Sequence, residues 1–164
     1  MTTTPQLPHV KAPARPPREL VSKLSFLLKR LGWEMKDCIH EGFEAAGASA
    51  FHYSVLAALD EGAPETQATI ADALGYDRSY LVGLLDDLEE RGLIERKRDP
   101  ADRRRHIVKQ TAAGRKALTR LRAVYETIDD EFFAPLSAEE RETLYTLLLR
   151  LAAHHDPRLR NTGT

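Results

Sequence analysis

Cysteine occurs once in 164 residues, at Cys38, so this chain cannot form an intrachain disulfide or a four-cysteine zinc site. No apolar run approaches the roughly 18 residues that a membrane helix needs, and the N-terminus lacks the basic-then-apolar order of a secretory signal. A cytoplasmic protein with no membrane partner is expected. The patterns that usually carry catalysis are missing too: there is no phosphate-cradling glycine motif, no H-E-x-x-H, no G-x-S-x-G and no nucleophile paired in sequence with a base. The chain is read as a non-enzyme without catalytic residue, metal or cofactor.

Net charge is almost absent, at −1, but the charges are unevenly placed. Between Arg91 and Arg122 twelve Lys or Arg face three acids (Glu95, Asp99, Asp102), so the remainder of the chain is strongly acidic. Such segregation suits a protein with one face against a polyanion and the others in water. The composition, 42% hydrophobic and 30% charged, fits one globular unit with room for a dimerisation arm. Five of the nine prolines (Pro5, Pro8, Pro13, Pro16, Pro17) fall in residues 1–17, which reads as a flexible arm carrying the basic Lys11 and Arg15, with Arg18 next to it.

From Arg18 to Ala46 the apolar residues Leu20, Leu24, Leu27, Leu28, Leu31, Met35, Cys38 and Ile39 recur at steps of three and four, which predicts one long amphipathic helix. Phe51, Val55, Leu56 and Leu59 share a stripe on a second helix over about Ser49 to Glu61. Thr66 suits the cap of a short helix over Gln67 to Leu74, Gly75 a tight turn, and Asp77 or Ser79 the cap of the next helix. That helix turns Leu81, Leu84, Leu85 and Leu88 inward and closes at Gly92. The runs LIERKR and HIVKQT then read as strands around the loop DPADRRR. Two helices, a short turn and a hairpin give the order of a winged helix-turn-helix, so the fold class is mainly α with a small β-wing. Leu118, Leu121, Tyr125, Ile128 and Phe132 mark a helix seeking a partner helix. Ser137 with Glu140 forms a capping box for a last helix bearing Leu144, Leu147, Leu148 and Leu151.

On the second helix of the motif, the face opposite the leucines holds Arg78, Ser79, Val82, Gly83 and Asp86. Arg78 and Ser79 in the first turn are placed to reach base edges in a major groove, and Val82 to meet a thymine methyl. Asp86 opposes deep contact further along. Asp99 and Pro100 suit a type I turn that pushes Arg103, Arg104 and Arg105 outward for the minor groove and its phosphates, with Asp102 as the orienting partner.

The segment from Thr66 to Leu118 resembles the core of the MarR family of transcriptional regulators. The resemblance rests on Asp102 and Arg104 (D-x-R), on L-E-x-x-G-L-I-x-R from Leu88 to Arg96, and on T-x-x-G-R from Thr111 to Arg115. With the flanking helices it extends over about Leu20 to Leu151. It implies a homodimer, built by N- and C-terminal dimerisation helices, that binds a pseudo-palindromic DNA operator and by family default represses. Gly83 departs from the pattern, since many members carry a polar or basic residue there. The implied organisation is an arm over 1–17, an N-terminal dimerisation helix over 18–46, the DNA-binding domain over 47–111, C-terminal dimerisation helices over 112–155 and a flexible tail over 156–164.

The resemblance also implies release by a small aromatic or lipophilic ligand, for which Trp33, Lys36, His52, Tyr53 and Arg122 lie on elements expected to line a crevice. Other readings of the same fold remain open. A redox response would act through Cys38, although the stripe of Leu31, Met35 and Ile39 predicts its burial, and alignment with the peroxide-sensing branch puts Ser25 where the reactive cysteine would stand. A zinc response would draw on Cys38, His40, Glu41, His154 and His155. A winged-helix interaction module without DNA binding would lack the arginine cluster that this wing has.

Overall fold

The computed structural model describes residues 15–61, 65–100 and 105–160. Residues 15–36 and 37–160 fall in two separate compact units, with the division inside one continuous helix. In the first unit the expected long helix is interrupted, giving α1 (Arg18–Val21) and the start of α2 (Leu24–Ala45). The break follows from Ser22, whose hydroxyl donates to the Glu19 carbonyl at 2.7 Å and so competes with helical pairing. Leu20, Leu24, Leu27, Leu28 and Leu31 of this unit are exposed. The proline-rich arm lies outside the described residues apart from positions 15–17.

The second unit continues α2 and adds α3 (Ala50–Asp60), β1 (Glu65–Thr66), α4 (Gln67–Leu74), α5 (Arg78–Glu90), β2 (Ile94–Arg98), β3 (His106–Gln110), α6 (Ala112–Phe132) and α7 (Ala138–His155). The strands form one antiparallel sheet in the order β1-β3-β2, with Arg96 opposite Val108. Caps set the boundaries. Thr66 and Thr69 exchange a capping box at the start of α4, Thr111 accepts from the Gly114 amide at the start of α6, and Ser137 with Glu140 opens α7. Gly75 ends α4 at φ +67°, a conformation that a side chain disfavours.

One core joins these elements: Phe43 of α2, Val55 and Leu56 of α3, Ile70 of α4, Leu81, Leu85 and Leu88 of α5, Val108 of β3, and Leu118 and Leu121 of α6 are all buried. The stripe on α6 that predicts a partner helix is satisfied here within the chain. Leu118, Leu121 and Ile128 are buried, and Tyr125 packs against Phe43 and Tyr53 at ring distances of 5.7 and 5.3 Å. By contrast α7 buries no residue, and Tyr145, Leu147, Leu148 and Leu151 face outward. Cys38 also differs from expectation: it is exposed, because Phe43 is the residue that α2 buries. Residues 156–160, expected as part of a tail, close on a 3-10 turn, Pro157–Leu159, capped by Asp156. No described helix is long and apolar enough to cross a membrane.

Candidate nucleic-acid interface

The second helix of the motif, α5, is started by one carboxylate. Asp77 Oδ1 accepts from the amides of Ser79 at 2.9 Å and Tyr80 at 3.2 Å, and it also accepts from the Ser79 hydroxyl. These bonds, the hydroxyl first, hold the Asp77 carboxyl below the usual carboxylate range. With Leu81, Leu85 and Leu88 buried, Arg78, Ser79, Val82, Gly83 and Asp86 lie together on the exposed side. The cap changes what Ser79 offers. Its proton goes to Asp77, so toward a base edge the hydroxyl acts as an acceptor.

Asp86 has a structural partner that its place on this face does not suggest. Arg96 of β2 reaches across to α5, with Nη2 at 2.7 Å from Asp86 and 2.6 Å from Glu89. Its Nε and backbone amide also donate to the Glu89 carboxylate, each at 2.9 Å. The helix and the wing are therefore clamped by one arginine, whose Nε and Nη2 converge on a single Glu89 oxygen while Nη2 also reaches Asp86, all as charge-assisted hydrogen bonds. Hydrogen bonding to Arg96 lowers the Glu89 pKa, and Glu89 in turn raises that of Arg96.

The basic surplus from Arg91 to Arg122 divides accordingly. Arg91 binds Asp87 and the Gly47 carbonyl, Lys97 binds Glu95 and Arg122 binds Asp60 at 2.7 Å, so these charges, like that of Arg96, serve the fold first. Arg98, Lys109, Lys116 and Arg120 are exposed and have no acidic partner among the described residues. Arg105 is exposed, and its carbonyl accepts from the Asp99 amide at 2.9 Å to close the base of the hairpin loop. Asp102, Arg103 and Arg104 lie outside the described residues.

Three of the five ligand candidates have partners in the second unit. His52 is buried; its Nδ1 accepts from the Ser49 amide at 3.2 Å and its Nε2 donates to Asp87 at 2.8 Å. Burial first, and Arg91 after it, push the imidazole below its ordinary pKa, against the opposing pull of Asp87. Tyr53, Phe43 and Tyr125 form a cluster of inclined rings, each in contact with the other two, and Arg122 turns to Asp60. In the first unit Trp33 is exposed, with Lys29 Nζ 4.8 Å from its ring centre, and Lys36 is exposed as well. A separate groove of about 610 Å³ runs between α2 and α6, where Cys38, Glu41 and Gly42 face Val124, Ile128 and Phe132. The parts that Arg96 and His52 play in joining elements are not legible in the sequence, because Glu89 and Asp87 lie seven and thirty-five positions away with no periodic signal.

Comparison with known proteins agrees with this geometry. Residues 47–105 match the MarR family. A transcriptional regulatory protein for the hcr operon of Thauera aromatica is 39% identical over 99 residues, which cover 60% of this chain and 60% of that protein. The transcriptional regulator HosA of Escherichia coli O111:H- is 33% identical over 99 residues, 60% of this chain and 73% of HosA. Among solved structures, the repressor CouR bound to a 23-mer DNA duplex superposes with a TM-score of 0.74 at 33% identity, over 82% of this chain and 96% of that one. CouR from Rhodococcus jostii RHA1 bound to p-coumaroyl-CoA gives 0.69 at 25% identity, over 90% and 99%.

Proposed function

The chain belongs to the MarR family of transcriptional regulators, and from that premise we propose that it represses transcription in the cytoplasm as a homodimer bound to a pseudo-palindromic operator. The observation that carries this reading is the exposed first turn of α5, where the Asp77 cap holds Arg78 and Ser79 at the helix start with Val82 one turn on. Two such helices enter successive major grooves, Arg78 pairing with guanine and Val82 meeting a thymine methyl. Arg103, Arg104 and Arg105 of the wing reach the flanking minor groove, with Asp102 orienting Arg104. The clamp of Arg96 on Asp86 and Glu89 supports this division of labour, since it fixes the hairpin to the reading helix.

A homodimer is supported by the outward-facing Tyr145, Leu147, Leu148 and Leu151 of α7, a row that water alone leaves uncovered. CouR, solved both on DNA and with p-coumaroyl-CoA, supports release by a small ligand. Selection of bound fragments from genomic DNA tests the reading. Enriched fragments should carry two inverted half-sites about one helical turn apart, roughly 10 base pairs; retention of no duplex above background at 0.1 M salt would overturn it.

A further inference from the structure

The segment after α7 meets the helix-turn-helix at its turn. Arg158 lies over Gly75, so close that a Cβ at that position would stand 2.5 Å from Nη1 and 3.4 Å from Cζ. Gly75 ends α4 and sits two residues before the Asp77 cap and three before Arg78. A guanidinium from the C-terminal segment is thus seated beside the start of the helix proposed to read the operator. The φ of +67° is what calls for glycine at this position, and the guanidinium end lies where a Cβ would stand.

The guanidinium is held, but not used up. Asp156 accepts from Nε at 2.9 Å and from Nη2 at 2.6 Å, and its Oδ1 also takes the Arg158 amide at 3.0 Å. No hydrogen bond from Nη1 is made among the described residues, and the side chain remains 56% exposed. The result is an arginine fixed in direction by one carboxylate, with both N–H donors of Nη1 left at the turn. A helix that enters a major groove by its N-terminus brings the turn before it against the sugar-phosphate backbone.

We propose that Arg158 is a DNA phosphate contact supplied by the C-terminal segment, extending the interface from α5 and the wing to a third element. The inference rests on the DNA-binding reading above. It adds a sequence-independent, charge-based contact: Nη1 takes a phosphate oxygen, and the Asp156 carboxylate directs the side chain while weakening its net charge.

Titration of the full chain against the selected operator and an unrelated duplex, each from 0.05 to 0.3 M salt, tests this. Arg158→Gln should lower affinity about three- to tenfold at 0.1 M salt on both duplexes, and reduce the slope of log K against log salt by about 0.9 per protomer. Asp156→Asn keeps an acceptor for the Arg158 amide and removes the competing charge, so it should tighten binding and steepen the slope. Size-exclusion chromatography should show the oligomer unchanged in both. If Arg158→Gln weakens binding with an unaltered slope, or Asp156→Asn weakens it in parallel, the residue is only a brace and the proposal is wrong. Wild-type binding with Arg158→Gln at full affinity and slope sinks this inference alone, whereas a wild type that retains no duplex sinks the operator reading as well.

Discussion

His52 Nε2 lies 2.8 Å from Asp87 Oδ2, so a buried imidazole of α3 is tied to the middle of α5. Its other nitrogen accepts the Ser49 amide that opens α3, and Asp87 passes the tie to Arg91, which holds the Gly47 carbonyl. This arrangement needs the neutral tautomer with the proton on Nε2. A second proton would turn Nδ1 from acceptor into donor and set it against the Ser49 N–H.

A pH dependence of stability follows. Burial lowers the folded-state pKa of His52, so as pH falls the unfolded chain takes up its proton first. The contribution of this group is complete above the unfolded value of about 6.5 and is lost as pH falls through the folded value, at no more than about 1.4 kcal/mol per pH unit. Thermal melts of wild type and His52→Gln from pH 8 to pH 5 should converge toward acid, because Gln cannot titrate. Parallel curves across that range would show that His52 does not govern the acid side.

The clamp between wing and helix should be separable from DNA contact. Arg96→Ala removes a partly buried partner of Asp86 and Glu89, both of which keep some access to water, so the expected cost is about 1–2 kcal/mol in urea denaturation. Operator affinity should fall through loosening of the hairpin while the salt slope stays that of wild type. A slope reduced as for a lost phosphate contact would make Arg96 part of the interface instead.

Much of the fold is readable in the sequence because its signals are local. The caps Thr66, Asp77 and Ser137 stand at their helix starts, and the leucines of α5 face the core. What escapes is whatever depends on distant partners. The spacing of Leu118, Leu121, Tyr125 and Ile128 is equally good for a partner chain or for α2 and α3, and only the packing of Phe43 and Tyr53 distinguishes them. Likewise an arginine count merges Arg96 and Arg122, which neutralise in-chain acids, with Arg98 and Arg120, which have no acidic partner among the described residues.

The T-x-x-G motif has a packing reason that a substitution can test. Thr111 Oγ1 donates to the Gly92 carbonyl at 2.7 Å and accepts the Gly114 amide at 3.0 Å, while a Cβ on Gly114 would collide with the Leu93 carbonyl oxygen. The nearest obstacle is the Leu93 backbone, which has little room to yield, followed by the Gln110 side chain. Gly114→Ala should therefore cost about 2–3 kcal/mol despite its better helix propensity. An unchanged denaturation midpoint would mean that the β2 connection shifts freely.

On the operator, Arg104→Ala should weaken binding at least several-fold and reduce the salt slope without changing the oligomer. Arg78→Ala should instead relax discrimination at one position of each half-site, costing about 1–3 kcal/mol against the preferred base. Gel-shift titration on a set of single-base operator variants distinguishes the two. Equal loss on all variants for Arg78→Ala would assign it to the phosphates rather than to a base.

Gly83 gives the sharpest separation of folding from function. It lies on the exposed face of α5 with an ordinary helical φ, and nothing stands within 4 Å of where a Cβ would point. The isolated protein gains nothing from the missing methyl, and glycine inside a helix costs about 0.5–1 kcal/mol relative to alanine. Gly83→Ala should thus raise the melting temperature. If this face enters the major groove as proposed, the added methyl approaches the bases or the backbone. Operator affinity should then fall while affinity for unrelated DNA holds, so that stability and specificity move in opposite directions. A variant that is both more stable and fully competent on its operator would mean that the middle of α5 stands clear of the groove and that reading is confined to Arg78, Ser79 and Val82.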